Sequence, residues 1–242
     1  MVKIKYILLL FLIIMSCSKD ESISNQDLAT YLTTLSFKTG EVTACAANAI
    51  DSDEILVFYY PKPKATTIRY FETLNVQVDK FNYGKYKELE LEKKPFFNGY
   101  LGVFNRISSN EKWIIITFEL DGKIQVSNPI RTKQHTKPTF WTDIVSIDQN
   151  ISLMPSFSWE DNLKGDNAIY FQVVSDENKN LLSGTYTNQN HFQYYNTSNV
   201  VFNITEQLPP ELTANKVYNF TLMDVSADNW VNLIIQKEFK AK

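Results

Sequence analysis

Two cysteines and two histidines are the whole stock of soft metal ligands and imidazole bases in this chain of 242 residues. The histidines stand far apart, in Gln134-His135-Thr136 and Asn190-His191-Phe192, and give neither a metal-binding pair nor a general base beside a nucleophile. There are only seven glycines, with no Gly-x-Ser-x-Gly elbow and no glycine-rich phosphate loop. Cys45 lies among small apolar neighbours, Val42-Thr43-Ala44-Cys45-Ala46-Ala47, the setting of a core residue and not of a reactive thiolate. Carboxylates offer more. Glu160, Asp161, Asn162, Asp166 and Asn167 crowd one stretch with the hard oxygens that calcium prefers, without EF-hand spacing; such residues also build turns for backbone reasons alone. Asp51, Asp53 and Glu54 read as turn residues. A pair of acids for glycoside hydrolysis stays open, because the fold sets their separation. No metal and no cofactor is expected.

Cys17 has a stronger context. Lys3 and Lys5 precede an unbroken apolar run, Ile7 to Met15, which has signal-peptide length and is too short to span a bilayer. Leu12-Ile13-Ile14-Met15-Ser16 then leads into the thiol. This resembles the bacterial lipobox, and the resemblance implies a signal peptide over 1–16, diacylglycerol on Cys17 and a membrane partner through that lipid. Cys45 is left without a disulfide partner. Ser18-Lys19-Asp20-Glu21 resembles the export signal of Bacteroidetes surface lipoproteins, which implies an outer-membrane protein facing the cell exterior, with Lys19, Asp20 and Glu21 as the address. Acylation would bring tens of CH₂ groups at roughly 0.8 kcal/mol each, enough for a lasting anchor.

The net charge of −3, more negative once Lys3 and Lys5 leave with the signal, carries no basic stripe and excludes nucleic acid as a partner. It is too small for a disordered chain. After a polar lipidated tether, 17–34, short β-branched and aromatic runs alternate with turn residues, the pattern of an all-β protein. Ile55 to Tyr60 is a near-continuous apolar run stopped by Pro61 and Pro63, a buried strand. Thr67 to Thr73 alternates without declaring its core face, with Ile68, Tyr70 and Glu72 on one side and Arg69 and Phe71 on the other. Lys80 to Lys94 is a charged edge or loop around Tyr83 and Tyr86. Asp121-Gly122 between Trp113–Leu120 and Lys123–Ile130 predicts a hairpin with a type I′ turn. Arg131 to Pro138 reads as a linker. Beyond it, Ser156–Trp159, Ile169–Val174, Leu181–Tyr186, Asn199–Thr205, Tyr218–Val225 and Trp230–Lys237 continue the strand pattern of a sandwich.

The second block resembles a fibronectin type III or related immunoglobulin-like domain. Phe157-Ser158-Trp159 matches the core tryptophan of that fold's second strand, and Leu212 with Tyr218 matches its tyrosine corner, Ala214 and Asn215 replacing the usual proline and glycine. Setting Trp113 against Tyr218 also aligns Ile107 with Leu212 and Asn110 with Asn215. The resemblance implies two tandem β-sandwiches, 35–132 and 137–239, and the whole chain resembles uncharacterised flavobacterial surface lipoproteins. In such a sandwich the loop at Asp228, Asn229 and Trp230 shares one end with the loop at Asp161. Those four residues are the expected ligand surface, since exposed amphipathic aromatics serve both glycan and protein recognition. Two functions follow: a lipid-anchored, non-enzymatic surface module that binds glycan or protein partners or spaces them, or a glycan-active hydrolase whose acids meet only in the fold.

Overall fold

The computed structural model describes residues 23–205 and 208–242. The chain opens with β1 (Ile23–Asp27), a short helix α1 (Leu28–Leu32), β2 (Phe37–Val42), β3 (Ala44–Asn48), β4 (Glu54–Tyr59) and β5 (Thr66–Glu72). A single 3₁₀ turn at Tyr83–Lys85 leads to β6 (Lys87–Leu89), β7 (Lys94–Phe96), β8 (Leu101–Ile107), β9 (Trp113–Leu120), β10 (Lys123–Ser127) and β11 (Ile130–Arg131). Then come β12 (Phe140–Thr142), β13 (Ser146–Asp148), β14 (Ser156–Ser158), β15 (Asn167–Asp176) and β16 (Leu181–Thr187). The last four are β17 (His191–Gln193), β18 (Val200–Asn203), β19 (Val217–Ser226) and β20 (Val231–Lys240).

These strands build two sandwiches. The first pairs a seven-stranded sheet, β1-β6-β5-β9-β10-β2 with β11 on β9, against a four-stranded sheet, β3-β4-β8-β7. The second pairs the six-stranded β12-β20-β19-β15-β16-β18 against the three-stranded β13-β14-β17. The fold is all-β, a sandwich in both halves and fibronectin type III/immunoglobulin-like in the second. Its diagnostic corner is present in the second: Leu212 is buried, and the Tyr218 hydroxyl accepts the Thr213 N–H at 2.8 Å. Asn215 adopts φ +66°, the left-handed turn for which that corner ordinarily uses glycine. The corner is not repeated in the first half, where Ile107 is largely exposed and the Trp113 indole donates to the Val76 carbonyl. The hairpin turn is as expected, with positive φ at both Asp121 and Gly122.

The sandwiches are stacked face to face. In β4, Ile55, Val57 and Tyr59 enter the core of the first sandwich, while Leu56 and Phe58 point the other way. There Phe58, Val103, Leu101 and Cys45 meet Phe171, Val173, Met223 and Ile234 from the six-stranded sheet in one continuous apolar layer. A strand buried on both faces reads as an unbroken apolar run, which accounts for Ile55 to Tyr60. Backbone bonds stitch the edges. Ala46 N–H donates to Asn229 at 3.0 Å and Arg131 N–H to Asp228 at 2.9 Å, while Asn48 and Thr139 exchange two hydrogen bonds.

The segment read as a tether is corrected from Ile23 onward. β1 pairs with β6, and Asp27 caps α1 by accepting the Thr30 N–H at 2.8 Å. Leu28, Tyr31 and Leu32 of α1 bury Phe71, Ile115, Ile124 and Val126 on the outer face of the seven-stranded sheet. This is why β5 shows no single core face: Tyr70 enters the sandwich and Phe71 lies under α1. Four sheets and one helix thus form five layers.

Candidate functional site

The loops carrying Asp161 and Asp228 do meet at one end of the six-stranded sheet, where Asn167 of β15 pairs with Ser226 of β19. They do not form the expected ligand surface. Trp230 is 0% exposed, sits in the core of the first sandwich and donates its indole N–H to the Lys137 carbonyl at 2.8 Å. Asp228 accepts from Ser226 Oγ and forms a 2.8 Å ion pair with Lys133 of the linker. Asn229 takes φ +61° and donates its amide to Pro129. The first sandwich therefore occupies the surface that the aromatic was expected to present. Asp161 accepts the Tyr170 hydroxyl at 2.8 Å, and Asn162 Oδ1 accepts the Asn167 N–H, so both hold their loop in place.

The other candidates resolve into structure as well. Tyr86 is buried with its hydroxyl donating to Lys80 O at 2.7 Å, and Tyr83 packs edge-on against it. Cys45 lies in the layer between sandwiches, where burial pushes its thiol up to about 12, far from a nucleophile's range. His135 and His191 are exposed. Among the described residues no three acidic, histidine or cysteine side chains gather to hold a metal. Asp224 is buried and accepts one bond from Asn167 Nδ2 at 2.9 Å, its second oxygen having no partner among the described residues; burial raises its pKa. Cys17, Lys19, Asp20 and Glu21 lie outside the described residues.

A different place gathers charge. At the end of the first sandwich where β5 stops and β9 begins, a cleft of about 460 Å³ is lined by Glu72, Leu74, Lys85, Lys87, Arg106 and Lys112 among others. Glu72, buried in a sheet interior, accepts Arg106 Nε and Nη2 at 3.0 Å each, Lys112 Nζ at 2.7 Å and the Tyr70 hydroxyl at 3.0 Å. Burial pushes its carboxyl up, but the bonds and charges of Arg106 and Lys112 outweigh that and hold it below the usual carboxylate value. The carboxylate in turn fixes two cations at the cleft wall. Glu88 is likewise engaged, by Arg69 at 3.0 and 3.1 Å. Lys85 lies exposed on the 3₁₀ turn, and Leu74 is 72% exposed beside it on the rim. The sequence signals for this place were Glu72, an acid on the same face of a strand as Ile68 and Tyr70, and the charged segment Lys80 to Lys94, read as a solvated edge, which supplies Lys85, Lys87 and Glu88.

No family model and no curated protein matches the chain. Among solved structures it is similar to the FN1–FN3 domains of chicken CNTN1, at 10% identity and a TM-score of 0.30, over 84% of this chain and 67% of that one. It is also similar to the chicken interferon gamma receptor alpha chain, at 8% identity and a TM-score of 0.24, over 84% and 97%. The fold assignment rests on the sheets and the tyrosine corner described above.

Proposed function

We propose that this chain is a lipid-anchored, non-enzymatic recognition module displayed on the outer face of a bacterial outer membrane. The observation that carries the reading is the stack of two sandwiches joined by a continuous apolar layer, with a charged cleft at the end of the first. Asp161 and Asp228, the acids expected at the ligand surface, are engaged in loop and linker contacts, which moves the recognition reading to the cleft of the first sandwich. The address still rests on Cys17 and on Lys19-Asp20-Glu21. The chain enters β1 at Ile23, opposite Leu89, and runs along β6 toward Lys87. Six residue steps separate Cys17 from Ile23, so the lipid lies within about 20 Å of that strand.

Two experiments test the reading. Protease shaving of intact cells should remove the wild-type protein, and a Cys17→Ala variant should leave the membrane fraction; retention of the variant in membranes would defeat the lipid assignment. A chain starting at Ser18, which keeps every described element, should capture a surface partner in a glycan array or a cross-linked pull-down. Failure of both would leave a spacer role.

A further inference from the structure

The cleft of the first sandwich has a charge opposite to that of the molecule. The chain carries a net −3, yet four cations and two carboxylates line this one cavity. Both carboxylates are already engaged, Glu72 by Arg106, Lys112 and Tyr70, and Glu88 by Arg69. The Lys112 ammonium gives one hydrogen bond, to Glu72 at 2.7 Å, among the described residues, and an ammonium carries three donors. Lys87 meets Asp27 only at 3.5 Å, and Lys85 is exposed. Donor capacity and positive charge are therefore in surplus, arranged around a cleft whose rim holds the exposed Leu74 and whose wall holds Leu89.

Resting on the recognition role proposed above, we infer that this cleft binds an acidic segment of a protein partner, one carrying carboxylates beside an aliphatic side chain. The carboxylates meet Lys112, Lys85 and Lys87, and the aliphatic group covers Leu74. Among the described residues no aromatic ring lines the cleft, so they offer no flat face on which a sugar ring stacks, which favours peptide over glycan. Glu72 acts as a positioning residue, holding Arg106 and Lys112 at the wall by hydrogen bonds to their charged groups.

The test is fluorescence anisotropy of a labelled peptide of alternating Glu and Leu, added to the chain starting at Ser18 in low salt. A Gln and Leu peptide and polygalacturonate serve as competing probes. Saturable binding of the acidic peptide is expected, weakened about tenfold or more by Lys85→Glu, by Leu74→Ser and by moderate salt, which screens charges beyond about 10 Å. Lys123→Glu, at the start of β10 and away from the cleft, should bind as wild type. Lys85 and Leu74 are exposed, so these variants keep the core intact. Equal binding of the Gln peptide, binding indifferent to Lys85→Glu, or capture of polygalacturonate in place of the peptide would overturn the inference. A surface partner captured from cells by the Lys85→Glu chain as well as by wild type would refute the cleft while leaving the recognition role standing.

Discussion

Single side chains here are decided by whether their polar atoms find partners. The Tyr218 hydroxyl ties Thr213 to β19, so Tyr218→Phe should cost about 1–2 kcal/mol in urea unfolding without moving any strand. Asp224 is the opposite case, a buried carboxylate with one oxygen unpaired among the described residues. Its raised pKa means that the folded state binds the proton more tightly than the unfolded chain. Its contribution to stability is therefore least unfavourable at low pH and worsens as pH rises from the usual carboxylate value through the raised one. Asp224→Asn should be about 1–2 kcal/mol more stable than wild type at pH 7, with the gap closing in acid. A gap that does not change with pH would refute this account. Gly102 faces the Tyr59 ring so closely that a Cβ would collide with it, and Gly102→Ala should destabilise by about 1–3 kcal/mol in the same assay.

Elements in this protein serve more than their own sheet. The turn between β19 and β20 sends Trp230 into the neighbouring sandwich, where Ala46 forms a parallel bridge with it. Trp230→Ala should lose about 3–5 kcal/mol, and near-ultraviolet circular dichroism should show the first sandwich disturbed although the mutation lies in the second. Helix α1 covers the outer face of the seven-stranded sheet in a similar way. Five residues cannot hold a helix alone, so its stability comes from Leu28, Tyr31 and Leu32 against that sheet. Charged strand ends and the 3₁₀ turn then leave the Lys85 cleft beside it.

At the scale of the whole molecule, the apolar layer between the four-stranded and six-stranded sheets joins the two sandwiches, so they should unfold as one cooperative body. Calorimetry of the chain from Ser18 should show a single transition with matching calorimetric and van't Hoff enthalpies. Two resolved transitions would contradict the docking. A fragment ending at Thr132 would expose Phe58, Val103 and Leu101 together and should aggregate. Within the cleft, Glu72 holds Arg106 and Lys112 by hydrogen bonds, so ordering those two cations costs less entropy on binding.

Local signals made much of the fold legible. Period-two alternation, the proline stops and Asp121-Gly122 marked strands and a hairpin, because those depend on backbone conformation and neighbours a few residues away. Leu212 and Tyr218 identified the corner for the same reason, since its hydrogen bond closes over five residues. The candidate site was not legible. Trp230 after Asp228-Asn229 looks like a loop aromatic from sequence, and only the docking of a second sheet, whose Ala46 is more than 180 residues away, buries it. Ser22 to Phe37 looks like a tether because five residues of helix carry too little periodicity to be seen. The cleft joins Glu72 to Arg106 and Lys112, 34 and 40 residues apart. Sequence alone determined strand character, and the proposed lipobox-like address rests on sequence alone. Which faces are covered, and so which residues remain free to bind, was decided by the tertiary structure, because burial of a face depends on what packs against it.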